Sequence, residues 1–198
     1  TTRLVGSEMC IRDRYCMSLG LYLHIPYCFS KCRYCDFYSH PGERGVPDAY
    51  VDALLRELSR FAPEAPLQPD TLYFGGGTPS LLRPEQAKRL IDAARPMPGA
   101  EITLEANPET VTEESLAGFR EAGVNRISFG VQSARDTQLR TLGRPHTAKQ
   151  ARAAFAAARR AGFANISGDI MLALPHYTEA EFDETLELIE GGGATHIS

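Results

Sequence analysis

No stretch of this chain is both long and apolar enough to span a bilayer, and its N-terminus lacks the apolar core of a secretory signal. Neither sign of charge dominates: 21 Lys and Arg stand against 25 Asp and Glu, a net charge of −4. That balance gives no basis for nucleic acid or an anionic membrane as partner. Cysteine is scarce, five in 198 residues, and three of the five crowd into one short stretch. Such crowding suits a metal site in a reducing compartment better than a disulfide framework, and predicts a cytoplasmic protein. At 43% hydrophobic content the chain can bury one sizeable core and is small for two domains.

The crowded stretch is residues 19–39, LGLYLHIPYCFSKCRYCDFYS, which places Cys28, Cys32 and Cys35 at CxxxCxxC spacing. Three thiolates are one short of a closed tetrahedral zinc site, so a zinc reading needs His24 or His40 as fourth ligand. A [4Fe-4S] cluster with one iron left open for a small molecule needs no fourth protein ligand. Cys10 and Cys16 lie outside the motif and read as free thiols.

Residues 1–16, TTRLVGSEMCIRDRYC, show neither helical nor strand periodicity and precede a plausible initiator, Met17. They are expected to be a disordered or non-native tail, resembling translated sequencing-adapter read-through. Beyond them the chain alternates short apolar strands with amphipathic helices: LGLYLHI, TLYF, EITLEAN, RISFGVQ, NISGDIML and a closing ATHIS are the strands. Residues 48–61 carry Val51, Leu54, Leu55, Leu58 and Phe61 on one helical stripe. Pro84 opens a second helix; Thr112 caps a third, and Thr147 with Gln150 and Thr178 with Glu181 form capping boxes. This alternation predicts parallel strands joined by crossover helices, compatible with either an open doubly wound sheet or a barrel.

CxxxCxxC after a strand, followed by YFGGGTPSLL, resembles the radical S-adenosylmethionine (SAM) enzymes, in the branch that contains oxygen-independent coproporphyrinogen III dehydrogenase and a heme chaperone. The resemblance covers residues 19–198. It implies a partial (β/α)6 barrel over residues 17–198, a fragment cut off in the sixth strand, with its site at the C-terminal ends of the strands. It also implies Cys28, Cys32 and Cys35 as ligands of a [4Fe-4S] cluster. By the same match SAM is held by Tyr22, Tyr34, Gly76, Gly77, Thr78, Glu105, Gln132, Arg144 and Asp169. Plain alternatives stand beside these roles: core packing for the tyrosines, solvation for Arg144, structural caps for Glu105 and Asp169. His146 has no assigned role.

The chemistry implied is one-electron reduction of SAM with cleavage of its carbon–sulfur bond, which needs an electron donor but no protein acid or base, so no catalytic side chain is named. Two outcomes lead, a chaperone that binds heme and hands it to acceptor proteins or an enzyme that oxidatively decarboxylates coproporphyrinogen III, with radical SAM chemistry on another substrate as a third. The dehydrogenase pattern resembles CxxxCxxCxC, whereas this chain has Phe37 where the further cysteine would stand. That departure, and a first strand starting almost at Met17, favour the chaperone.

Overall fold

The computed structural model describes residues 18–61, 67–174 and 177–198; the expected tail, residues 1–16, lies outside them. Strand β1 (Gly20–Ile25) leads into the cysteine loop, whose two limbs pair as the two-residue strands β2 (Tyr27–Cys28) and β3 (His40–Pro41). Helix α1 (Asp48–Phe61) follows, then β4 (Thr71–Gly76), α2 (Pro84–Ala94), β5 (Glu101–Ala106) and α3 (Glu113–Ala122). The chain continues through β6 (Arg126–Gln132), α4 (Asp136–Leu142), α5 (Ala148–Arg160), β7 (Asn165–Ile170), α6 (Glu179–Gly191) and β8 (His196–Ile197). Among the described residues no helix is long and apolar enough to cross a membrane.

The main sheet has six parallel strands in the order β1-β4-β5-β6-β7-β8, which is chain order throughout. A doubly wound sheet reverses direction part-way, so this order settles the open choice in favour of a partial barrel. Alternation along the strands gives the two faces different chemistry. One face carries Leu23, Ile25, Leu72, Phe74, Ile102, Leu104, Ile127, Phe129, Val131 and Ile166, all buried in one core with Leu90, Leu116, Phe119 and Phe155 of the helices. Phe129 meets Phe155 edge-on at 5.1 Å. The other face carries Tyr22, Tyr73, Thr103, Glu105, Arg126, Ser128, Ser167 and Asp169.

Caps act where expected. Thr112, Thr147 and Thr178 each accept from the backbone N–H three residues on. Two details differ. Helix α4 was not foreseen, and Phe61 is 76% exposed, so the apolar stripe of α1 stops being buried a turn before the helix ends.

Candidate functional site

The cysteine loop is clamped at both limbs. The N–H of His40 donates to Pro26 O at 2.6 Å, Glu43 N–H to Cys28 O at 3.1 Å and, at the tip, Arg33 N–H to Leu142 O at 2.9 Å. His24 fastens the return limb: its Nε2–H donates to Tyr38 O at 2.9 Å, which leaves Nδ1 to accept from Tyr22 O–H at 3.2 Å. With both ring nitrogens engaged, His24 does not serve as a zinc ligand in this arrangement. Cys28 is buried, Cys32 and Cys35 half-buried, and all three line one cleft, whose walls include neither His24 nor His40. Among the described residues no three His, Cys, Asp or Glu side chains close on a single point as one metal ion would require. A cluster takes one thiolate per iron and so accepts a wider triangle of sulfurs than a lone ion does.

Beneath the cysteines lies the turn leaving β4. Gly76 has φ of 118°, and a Cβ there would fall 2.7 Å from the His24 ring; at Gly77 a Cβ would fall 2.7 Å from Tyr27 O. Only glycine fits either position. Gly77 N–H donates to Ile25 O at 2.8 Å, and the buried Thr78 hydroxyl lies 3.2 Å from Cys28 Sγ. Burial pushes the Cys28 thiol up, and the bond to Thr78 opposes it.

The far wall comes from β5, β6, β7 and the segment after α4. Glu105 accepts from Tyr73 O–H at 2.8 Å and from Gly76 N–H at 3.2 Å, and Asp169 accepts from Ser128 O–H at 3.1 Å. Burial raises both carboxyls above the usual range, and the Asp169 charge adds to the rise at Glu105. Arg144 is buried at the junction. Its Nη2 donates to Gly130 O and, at 2.7 Å, to Asn107 Oδ1, its Nη1 lies 3.5 Å from Cys32 Sγ, and its Nε has no hydrogen-bond partner. Beside it Gln132 is left-handed, φ 69°, where β6 bulges against β7. For a non-glycine residue that conformation costs on the order of 1 kcal/mol and clusters at functional sites.

Every residue of the expected set except Tyr22 lines this one cleft. Tyr22 sits one same-face step before His24, 54% exposed and stacked on Tyr73 at 6.0 Å. Of the cleft residues outside the expected set, Asn107 and Ser128 make the contacts that organise it. Asn107 donates to Thr78 Oγ1 at 3.1 Å while accepting from Arg144, and so ties the glycine turn to the arginine. Ser128 stands opposite Glu105 in register. The signal for Asn107 was in view, since it follows Glu105 in LEANP.

The cleft fits a cluster with an anionic, amine-bearing ligand. Three thiols face it, a buried guanidinium lines it, two buried carboxyls stand opposite, and its floor is backbone that no Cβ obstructs. A family model described as Radical SAM superfamily matches residues 22–189. Heme chaperone HemW of Bacillus subtilis (strain 168) is 39% identical over 184 residues, covering 89% of this chain and 48% of that protein. Heme chaperone HemW of Escherichia coli (strain K12) is 44% identical over 163 residues, covering 79% and 43%. The chain thus spans about half the length of the curated relatives it matches. Among solved structures, coproporphyrinogen III oxidase (HemN) from Escherichia coli, described as a radical SAM enzyme, superposes with a TM-score of 0.79 at 30% identity, covering 91% of this chain and 44% of that one. The chain belongs to the radical SAM superfamily, and with that membership go a [4Fe-4S] cluster and SAM.

Proposed function

We propose that residues 17–198 form the radical SAM core of a cytoplasmic heme chaperone, a protein that binds heme and passes it to acceptor proteins. Cys28, Cys32 and Cys35 would hold the cluster through their thiolates. When bound, the cluster would supply one electron for cleavage of the SAM carbon–sulfur bond, with an external electron donor to restore it. The chain's own residues bind and orient. Arg144 lines the cleft with its guanidinium and would pair with the SAM carboxylate. Gly76, Gly77 and Thr78 form the floor for its amino group, and Glu105 and Asp169 accept from its ammonium or ribose hydroxyls. Tyr34 flanks the adenine, and Tyr22 and Gln132 complete the surround.

The observation that carries the chaperone over the enzyme is Phe37. It is 66% exposed on the cleft wall, two residues past Cys35, where the dehydrogenase pattern has a cysteine. The HemW relatives support the same side. The likeness to HemN supports the second reading, oxidative decarboxylation of coproporphyrinogen III. The test is the anaerobically reconstituted protein given SAM, a reductant and coproporphyrinogen III. No porphyrinogen turnover, with stoichiometric heme uptake and transfer to an acceptor apoprotein, is the expected result; decarboxylated product at catalytic turnover overturns it.

A further inference from the structure

His146 has no role in the site as described, yet its side chain is fully buried beside it, two residues beyond Arg144. Its Nε2 lies 3.1 Å from Val131 O and its Nδ1 lies 3.4 Å from Glu109 Oε2, a nearly buried carboxylate oxygen. Arg144 repeats this arrangement one step along. It bonds Gly130 O where His146 bonds Val131 O, and meets Asn107 where His146 meets Glu109. The segments 107–109 and 144–146 are therefore cross-linked twice, at positions two residues apart, and both links grip the end of β6 immediately before the left-handed Gln132.

The donor and acceptor count at His146 is specific. A carbonyl oxygen only accepts, so Nε2 carries the hydrogen toward Val131. A carboxylate also only accepts, so Nδ1 facing Glu109 is attractive only with a second proton between them. At 3.4 Å, Nδ1 and Oε2 are out of line for a full hydrogen bond. The Arg144 guanidinium also feels the Glu109 charge.

The geometry points to His146 and Glu109 as a positioning pair, holding a proton between them and fixing where Arg144 and Gln132 meet SAM. This rests on the cleft being the SAM site. None of the hydrogen bonds of Arg144 runs to Glu109, so beyond the charge Glu109 presents to Arg144 the pair acts on SAM through the placement of the 144–146 segment.

The test uses the reconstituted protein, measuring SAM dissociation constants by equilibrium dialysis and recording nitrogen-15 histidine spectra. Glu109→Ala is expected to weaken SAM binding about tenfold, the scale on which outer-layer partners act. Glu109→Gln, whose amide donates to a bare Nδ1, is expected to restore affinity close to wild type. The wild-type spectrum should show both His146 nitrogens protonated, assigned by their loss in His146→Gln, and Glu109→Gln should leave Nδ1 bare. Unchanged SAM affinity in Glu109→Ala, with only the melting temperature lowered, overturns the positioning role. A bare ring nitrogen in the wild type overturns the shared proton, a result that stands even where a variant fails to fold. Wild-type protein that binds no SAM defeats the site assignment itself, an outcome distinct from unchanged variants of a binding protein.

Discussion

Strand β6 belongs to two regions at once. Ile127, Phe129 and Val131 point into the helical layer and are fully buried, while Ser128, Gly130 and Gln132 point the other way into the cleft. The first set needs only to be apolar and the right size, because dispersion and burial are non-directional. The second set is held by directed contacts: Ser128 to Asp169, Gly130 to Arg144, and a left-handed Gln132 at a bulge. The core stabilises and the cleft consumes part of that stability, as buried carboxyls and strained backbone do. Variants that separate these two accounts of the same strands test the comparison.

The largest separation is expected from Cys35→Ser. Cluster binding should be abolished, read as iron content and visible absorbance after reconstitution, while the apo protein's unfolding free energy from urea denaturation changes by less than about 1 kcal/mol, as for an isosteric change at a half-exposed position. Phe129→Ala should do the reverse. It removes a ring that fills the core against Phe155, at a cost of about 3–5 kcal/mol by chemical denaturation. Whatever fraction remains folded should still take up iron. A Phe129→Ala protein as stable as wild type would show that the helical layer is not what holds the sheet.

Gly77→Ala lies between the two. The new Cβ would fall 2.7 Å from the Tyr27 carbonyl, a backbone atom that has no rotamer with which to yield. An overpacking cost of about 1–3 kcal/mol is expected, together with weakened SAM binding by equilibrium dialysis, because the turn that shifts is the cleft floor. Full SAM affinity in this variant would remove the glycine turn from the site.

The same contrast explains what was legible in the sequence. The helix-facing layer is periodic and local: alternation in strands such as EITLEAN, and capping boxes three residues long, announce themselves. The cysteines and GGGTP were legible as motifs for the same reason. Helix α4 was missed because it is one seven-residue piece with two buried leucines, Leu139 and Leu142, and no side-chain cap at Arg135. The β2 and β3 pairing is two residues long and formed across the loop, so no periodicity marks it. Asn107 and Ser128 acquire their meaning from partners 29 to 41 positions away, a matter of sheet register that spacing along the chain does not encode. Tyr22 lies on the cleft side of the sheet with its ring stacked on Tyr73, beside rather than among the residues that line the cleft.

The smallest expected effect is also the most direct reading of the cleft's cost. Burial raises the Asp169 carboxyl above its ordinary value, with Ser128 and the Arg144 charge only partly offsetting it. In the unfolded chain Asp169 titrates at its ordinary pKa, so between that pH and the raised folded value the unfolded state has released a proton that the folded state retains. Stability from this group is therefore fully present at acid pH and is lost as pH rises through the folded value, staying lost at neutrality. Asp169→Asn removes the dependence, and its side-chain oxygen still accepts from Ser128. The apo variant should therefore melt higher than wild type at neutral pH, with the difference shrinking toward acid pH as the wild-type carboxyl protonates. A variant less stable at neutrality, or a difference that grows on acidification, would place Asp169 among the residues that hold the fold and erase the distinction between the two sides of the sheet at β7.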